Sequence, residues 1–166
     1  MAQINLIIGA IFGMVAIVGG PIGAPTVKLK LDEQLRAKAK LVPGPALPNG
    51  DPGPEIMEIS SIDRQENELR WENYQHGVQY VMYHALALTA LGVVGTRGYG
   101  QIIGGSGFVL GTLLYGGGLA LGAILDMPTL QVGMSVGGVL LLVGWCGLAL
   151  ATISARPKSV NPALDS

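Results

Sequence analysis

The sequence predicts an all-α membrane protein: a four-transmembrane-helix antiparallel bundle with a long polar, Pro/Gly-rich connection between helices 1 and 2. Composition is the first reason, because 49% of the 166 residues are hydrophobic and only 13% are charged, whereas soluble domains carry about 25% charged residues. The second reason is that the charges are segregated, which leaves four runs of the ~20 apolar residues that cross a bilayer. The last two connections are short, so consecutive helices should be antiparallel.

The whole chain, residues 1–166, is expected to be one membrane domain. Its apolar runs should be helical, because every backbone amide in lipid needs a partner within its own segment. The first run lacks the basic start of a signal peptide, and we expect it to be retained. The predicted transmembrane helices cover about residues 4–24, 78–95, 102–125 and 132–154.

The first connection holds seven of the ten basic and nine of the eleven acidic residues. Residues 28–41 should form a helix at the membrane surface, with a solvated charged linker as the alternative. Residues 42–54 contain five prolines and three glycines and are predicted to be an extended, semi-rigid spacer. Residues 55–75 form a charged segment. Ser60 or Ser61 should begin a helix there, and residues 62–75 should be helical and lead directly into helix 2.

Orientation follows from the distribution of lysine and arginine. The long connection carries seven basic residues, and the opposite side carries three, which are Arg97, Arg156 and Lys158. This bias favours a cytoplasmic connection.

Glycines on three of the predicted helices repeat at intervals of four and seven residues, which places them on one face of each helix. Small residues let helix backbones approach closely in lipid. We predict that these glycines pack the bundle internally, with a face for oligomerisation as the alternative. They are Gly9, Gly13 and Gly20 in the first helix, Gly107, Gly111, Gly118 and Gly122 in the third, and Gly133, Gly137 and Gly144 in the fourth.

Three segments carry a family resemblance: HGVQYVMYHALALTALG (His76 to Gly92), GFVLGTLLYGGGLAL (Gly107 to Leu121) and GGVLLLVGWCGLAL (Gly137 to Leu150). In this order they resemble the small four-helix membrane family known as domain of unknown function 423, relatives of mitochondrial transmembrane protein 256. The resemblance implies an integral protein of a bacterial cytoplasmic (inner) membrane or an organellar inner membrane, and no established reaction. The family-motif residues are Gln79, Tyr80, Tyr83, His84, Tyr115, Gly144 and Trp145.

The sequence departs from the family pattern in three places. Pro25 stands where the family has a histidine, and the family's serine ahead of Tyr115 is missing. Residues 42–70 look like an insertion into the first connection.

His84 is the main candidate for chemistry, because an ionisable group in the middle of a transmembrane helix is costly. It could be a haem ligand, a proton relay or a quinone contact. We favour a neutral imidazole that bonds across the bundle, to Tyr115 or to a backbone carbonyl. Trp145 is expected to pack inside the bundle, Cys146 to be buried, and Asp126 to be a solvated loop residue. We assign no catalytic residue, no cofactor and no metal site.

These observations predict a non-catalytic protein: a structural or accessory subunit of a larger membrane complex, docking through its glycine-lined helix faces and the 28–72 arm. Its partners would be the lipid bilayer, other membrane subunits and further copies of itself; a net charge of −1 argues against nucleic acid. One alternative is a redox-complex subunit that contributes His84 to a haem or quinone site. The other is a small oligomeric transporter or channel, whose path could be lined only by Gln79, His84, Thr89, Ser106, Thr112, Tyr115 and Ser135.

Overall fold

The structure is a computed structural model that describes residues 1–48, 50–96 and 98–155. Arg97, Arg156 and Lys158, which entered the orientation argument, lie outside the described residues. The helices are α1 (Ala2–Ile17), α2 (Ala24–Ala37), α3 (Ser61–Val94), α4 (Tyr99–Thr112), α5 (Gly118–Leu125) and α6 (Val132–Ile153). A π-helical turn at Val18–Ile22 continues α1, a second at Leu113–Gly117 joins α4 to α5, and a 3-10 turn at Pro128–Gln131 precedes α6.

Among the described residues, four helical segments are long and apolar enough to cross a membrane: Ala2–Ile22, Ser61–Val94, Tyr99–Leu125 and Gly133–Ile153. The prediction of a mostly helical protein embedded in a membrane is confirmed to this extent. The second segment begins at Ser61, because charged residues 61–75 form one helix with the apolar run that was predicted from about residue 78.

The four long segments form an open row. α1 packs along α3, the α4–α5 rod packs on α3, and α6 packs along α4. Within the part of the chain that the structure describes, α1 and α6 share no extended contact. Gly9 lies beside Thr89 and Gly19 beside Val78, so α1 and α3 are antiparallel; Gly100 beside Ala151 shows the same for α4 and α6. The buried centre is formed by Ala87, Leu88, Leu91, Phe108, Leu141 and Ala151.

The first connection begins with α2, which folds back onto the first turns of α3. Leu31 is its buried residue. Lys28 pairs with Asp32 at 3.3 Å and lies 5.5 Å from the ring centre of Trp71. The helix ends at Ala37 and therefore covers less of the connection than the predicted 28–41.

Residues 42–54 differ from the predicted spacer, because they belong to a β-hairpin. Strands β1 (Lys40–Gly44) and β2 (Gly53–Glu58) pair antiparallel, with Val42 opposite Ile56. The turn has Gly50 at a φ of +88°. Proline excludes a helix here but is compatible with strands at a sheet edge, and a two-stranded sheet consists only of edges.

An N-cap and ion pairs hold the N-terminus of α3 beside the hairpin. The Ser60 hydroxyl accepts a hydrogen bond from the Asp63 backbone N–H at 3.1 Å, as an N-cap does. The Lys38 ammonium lies 3.1 Å from Glu66 and 3.3 Å from Asp63. Its hydrogen bonds to these carboxylates, first Glu66 and then Asp63, raise the pKa of Lys38 above its usual value. Lys38 is therefore charged throughout the physiological range.

Candidate functional site

His84 lies in the middle of α3 and is 4% exposed. Its Nδ1 is 2.8 Å from the carbonyl oxygen of Tyr80, one turn back in the same helix. A carbonyl only accepts, so Nδ1 carries the proton and Nε2 keeps its lone pair. The predicted bond across the bundle is replaced by a bond within α3.

Aromatic rings surround His84. Its ring stacks on Tyr80 at 6.0 Å and lies 5.8 Å from Phe108 and 6.4 Å from Trp145, centre to centre. Tyr115 meets the Tyr80 ring edge-on at 4.7 Å. Tyr83 also meets the Tyr80 ring edge-on, at 6.2 Å, so five of the seven family-motif residues belong to this aromatic cluster. The imidazole thus packs against three aromatic rings.

The motif residues also make contacts at the margin of the aromatic cluster. Gln79 and Tyr83 bond to each other through their side chains on the outer face of α3. A methyl group at Gly144 would lie 2.6 Å from the Phe108 ring, so glycine here lets that ring lie against α6. Trp145 touches the cluster with one edge but is 49% exposed, and Cys146 is exposed instead of buried. Gly144 and Gly147 face α4 and turn these two residues outward.

Some of the predicted packing glycines lie where helices approach most closely. A methyl group at Gly9 would lie 2.9 Å from the Ala85 carbonyl. One at Gly107 would lie 2.6 Å from the Gly144 amide, and one at Gly137 would lie 2.8 Å from the Tyr115 amide. A methyl group at Gly111 would meet the Leu141 side chain at 2.8 Å, and at Gly118 the Leu130 carbonyl at 3.2 Å. Gly13, Gly20 and Gly133 have ordinary contact distances of 4.0, 3.4 and 3.7 Å, and Gly122 is buried.

The tightest positions also include glycines that the sequence pattern missed. A methyl group at Gly77 would lie 2.6 Å from the Ala120 amide, and at Gly100 2.7 Å from the Ala151 amide. Gly104 and Gly147 face each other directly between α4 and α6. The spacing of Gly100, Gly104, Gly107 and Gly111 by three and four residues, as on one helix face, was a usable signal.

A buried amide pair was also missed. The Asn5 side-chain amide donates to Gln101 Oε1 at 2.9 Å, and the Gln101 amide donates to the Leu91 carbonyl. Both side chains are buried. Amides bonded across helices in lipid hold them together, so this pair ties α1, α3 and α4 at the end away from the hairpin.

Arg70 makes a second polar tie, at the hairpin end. Its guanidinium donates to the Ala123 carbonyl from Nε at 3.0 Å and from Nη2 at 2.8 Å. Nη2 also donates to Gln34 Oε1 at 3.0 Å, and Nη1 lies 3.4 Å from Asp126. Asp126 is thus paired, although its side chain is exposed as predicted for a loop. Arg70 therefore joins α2, α3 and the last turn of α5.

The polar residues that could line a channel have several different surroundings, and of them His84 and Tyr115 share the aromatic cluster. Thr89 donates to the Ala85 carbonyl and Ser106 to the Ile102 carbonyl, both at 2.9 Å and both within their own helices. Ser135 is exposed on α6, whereas Thr112 is buried on α4.

We expect His84→Phe to cost no more than about 1.5 kcal/mol of unfolding free energy, because a flat aromatic ring is kept, although phenyl is larger than imidazole. The Tyr80 carbonyl also keeps its backbone hydrogen bond from residue 84. His84→Ala should cost about 3 kcal/mol through the cavity that it leaves. Unfolding by sodium dodecyl sulfate in mixed micelles measures both. Equal losses in the two variants would show that the imidazole nitrogens matter more than the ring.

Comparison with known proteins identifies a family but no characterised relative. No curated protein and no solved structure matches the chain. A family model matches residues 61–138. The match begins at Ser61, so residues 61–70 are family sequence, although they were predicted to be part of an insertion. It covers α3, the α4–α5 rod and the aromatic cluster apart from Trp145. The resemblance seen in the motifs is confirmed over residues 61–138, which match the model of the family described as "Protein of unknown function (DUF423)".

Proposed function

We propose that the protein is a non-catalytic, structural or accessory subunit of a larger complex in a bacterial cytoplasmic or an organellar inner membrane. One observation carries this proposal: the chain leaves apolar side chains on the hairpin and the nearby first turns of α3 uncovered. They are Leu41, Ile56, Met57, Ile62 and Leu69. A two-stranded hairpin is only marginally stable alone in water, and its edges are free to pair with another chain.

The packing of the helix faces also favours docking through the 28–72 arm over docking through the glycines. Five of the ten predicted packing glycines, Gly9, Gly107, Gly111, Gly137 and Gly144, are at close contacts inside the chain. They are therefore engaged before any partner arrives. The outer face of α1 instead presents bulky side chains, among them Ile4, Ile7, Ile11 and Met14, which suit lipid. Docking through the 28–72 arm is thus the form of the proposal that the geometry supports best.

The two alternatives have less support. A channel needs polar groups along a shared path, and two of its candidate hydroxyls, on Thr89 and Ser106, bond within separate helices. A redox role would use His84 Nε2, whereas the contacts of this ring are packing contacts with three aromatic side chains. Neither alternative has a specific observation in its favour.

Extraction of the tagged protein from its native membrane in mild detergent tests the proposal. Native gels with mass spectrometry should show one large complex with partners in fixed ratio. Met57→Glu should release the protein from it, because a charge on the exposed apolar hairpin face opposes burial in an interface. Glu58→Ser, in the same strand but on the face opposite Met57, is the matched control and should remain bound.

Migration of the wild type alone, at the size of one chain, would contradict the proposal. An absorption spectrum of the same sample tests the redox alternative. A Soret band that His84→Ala removes would favour haem ligation over a purely structural role.

A further inference from the structure

A cavity of about 370 Å³ lies between α1 and the α4–α5 rod, with α3 as its floor. Its volume falls within the range of about 300–1,000 Å³ that is typical of small-molecule sites. The lining is apolar except for Tyr74 and Thr112. The Tyr74 hydroxyl is already engaged, because it donates to the Gly19 carbonyl.

Both π-helical turns of the described chain border this cavity. The turn at Val18–Ile22 contributes Gly19, and the turn at Leu113–Gly117 contributes its first and last residues. Single π turns inside α-helices are rare and frequently occur at functional sites. Two of them, from different helices, therefore converge on one cavity.

Thr112 supplies the observation that points to a ligand. The residue is 1% exposed, and its Oγ1 has no hydrogen-bond partner among the described residues. A buried hydroxyl without a partner is unfavourable. Thr112 also lies at the midpoint of the Tyr99–Leu125 segment, which places it near the bilayer midplane.

We propose that this cavity binds a neutral, lipid-soluble molecule of the quinone type, whose carbonyl accepts a hydrogen bond from Thr112. The ligand is neutral because the lining carries no Asp, Glu, Lys or Arg. It is not a phospholipid ester, because esters lie at the edge of a hydrocarbon core about 30 Å thick, roughly 15 Å from the midplane.

The shape of the cavity suits a molecule with a tail. Its lining runs along the rod from Thr112 to Ile124, twelve positions, or roughly 18 Å at the helical rise. Leu113 and Leu121 line it and are exposed toward the bilayer. An isoprenoid or alkyl tail can therefore leave sideways into lipid. The inference is independent of the accessory-subunit proposal, since a subunit with or without partners could hold this ligand.

Photolabelling of the purified full-length protein in nanodiscs tests the inference. The probe is an azidoquinone with a ten-carbon tail, and decylubiquinone is the competitor. We expect adducts on peptides that contain residues 11–19 and 112–121, lost as decylubiquinone is added. Thr112→Val removes only the hydroxyl. It should raise about tenfold the concentration of decylubiquinone that halves the labelling. Leu113→Trp should abolish labelling by filling the opening.

Matched variants keep this test interpretable. Ser106→Ala removes a hydroxyl from the same helix away from the cavity and should leave competition unchanged. Thr112→Ser keeps the hydroxyl and should bind like the wild type. Near-ultraviolet circular dichroism reports whether each variant is folded. Any one of three results would overturn the inference. The first is unchanged competition in folded Thr112→Val, and the second is labelling that decylubiquinone does not displace. The third is equal displacement by phosphatidylcholine.

Discussion

Gly147→Ala should destabilise the protein by about 3 kcal/mol, a large effect for one added methyl group. In α6, Gly147 faces the Gly104 backbone of α4, and a methyl group at Gly147 would overlap the Gly104 amide and Cα. Backbone atoms cannot rotate away as a side chain can, so the two helices must separate along their contact. Since association of helices in lipid depends on close van der Waals packing, separation forfeits much of the stabilisation. Unfolding by sodium dodecyl sulfate in mixed micelles measures the loss.

Gly138→Ala is the matched control, because it adds the same methyl group to the same helix. There the nearest atom would be a Tyr115 ring carbon at 3.9 Å, an ordinary contact. We expect little change or a small gain from the better helix propensity of alanine. If both variants lost stability equally, the cause would be alanine itself and not the contact between α4 and α6.

The contrast between these two glycines shows what the sequence could predict about packing. A repeat of four and seven residues indicates which face of one helix is small. It does not indicate which facing helix comes closest, because that depends on how two helices align. Gly144 was therefore predicted, whereas Gly147, one turn along the same face, was not. The register of Gly104 against Gly147 exists only in the folded pair.

The same limit applies to the rest of the fold. Segregation of charge was sufficient to predict four membrane segments, since hydropathy along one chain decides burial in lipid. The proline-rich residues 42–54 indicated only that a helix was excluded, and the pairing of Val42 with Ile56 is a contact between distant residues. His84 was recognised as unusual from its position alone. Its bond to Tyr80 depends on a side-chain rotamer, which the sequence does not determine.

Arg70→Ala should be the most damaging substitution at the hairpin end, with an expected cost of about 2–4 kcal/mol, because hydrogen bonds to charged groups are strong. The side chain is only 11% exposed. Its two bonds to the Ala123 carbonyl satisfy a backbone acceptor in the last turn of α5, where a cation is also favoured by the helix dipole. Without them, α2 and the end of α5 lose their common attachment to α3. Unfolding in mixed micelles measures the cost, and limited proteolysis should cleave residues 38–60 faster.

Two further variants separate the guanidinium geometry from its charge. Arg64→Ala removes an exposed arginine from the same helix, whose Nε donates only to the Ile59 carbonyl at 3.3 Å. We expect the free energy of unfolding to change by no more than about 0.5 kcal/mol, as for most surface substitutions. Asp126→Asn breaks only the exposed pair at 3.4 Å and should cost less than about 1 kcal/mol. A loss in Asp126→Asn as large as in Arg70→Ala would assign the stabilisation to the ion pair, whereas the geometry assigns it to the carbonyl of α5 and to Gln34.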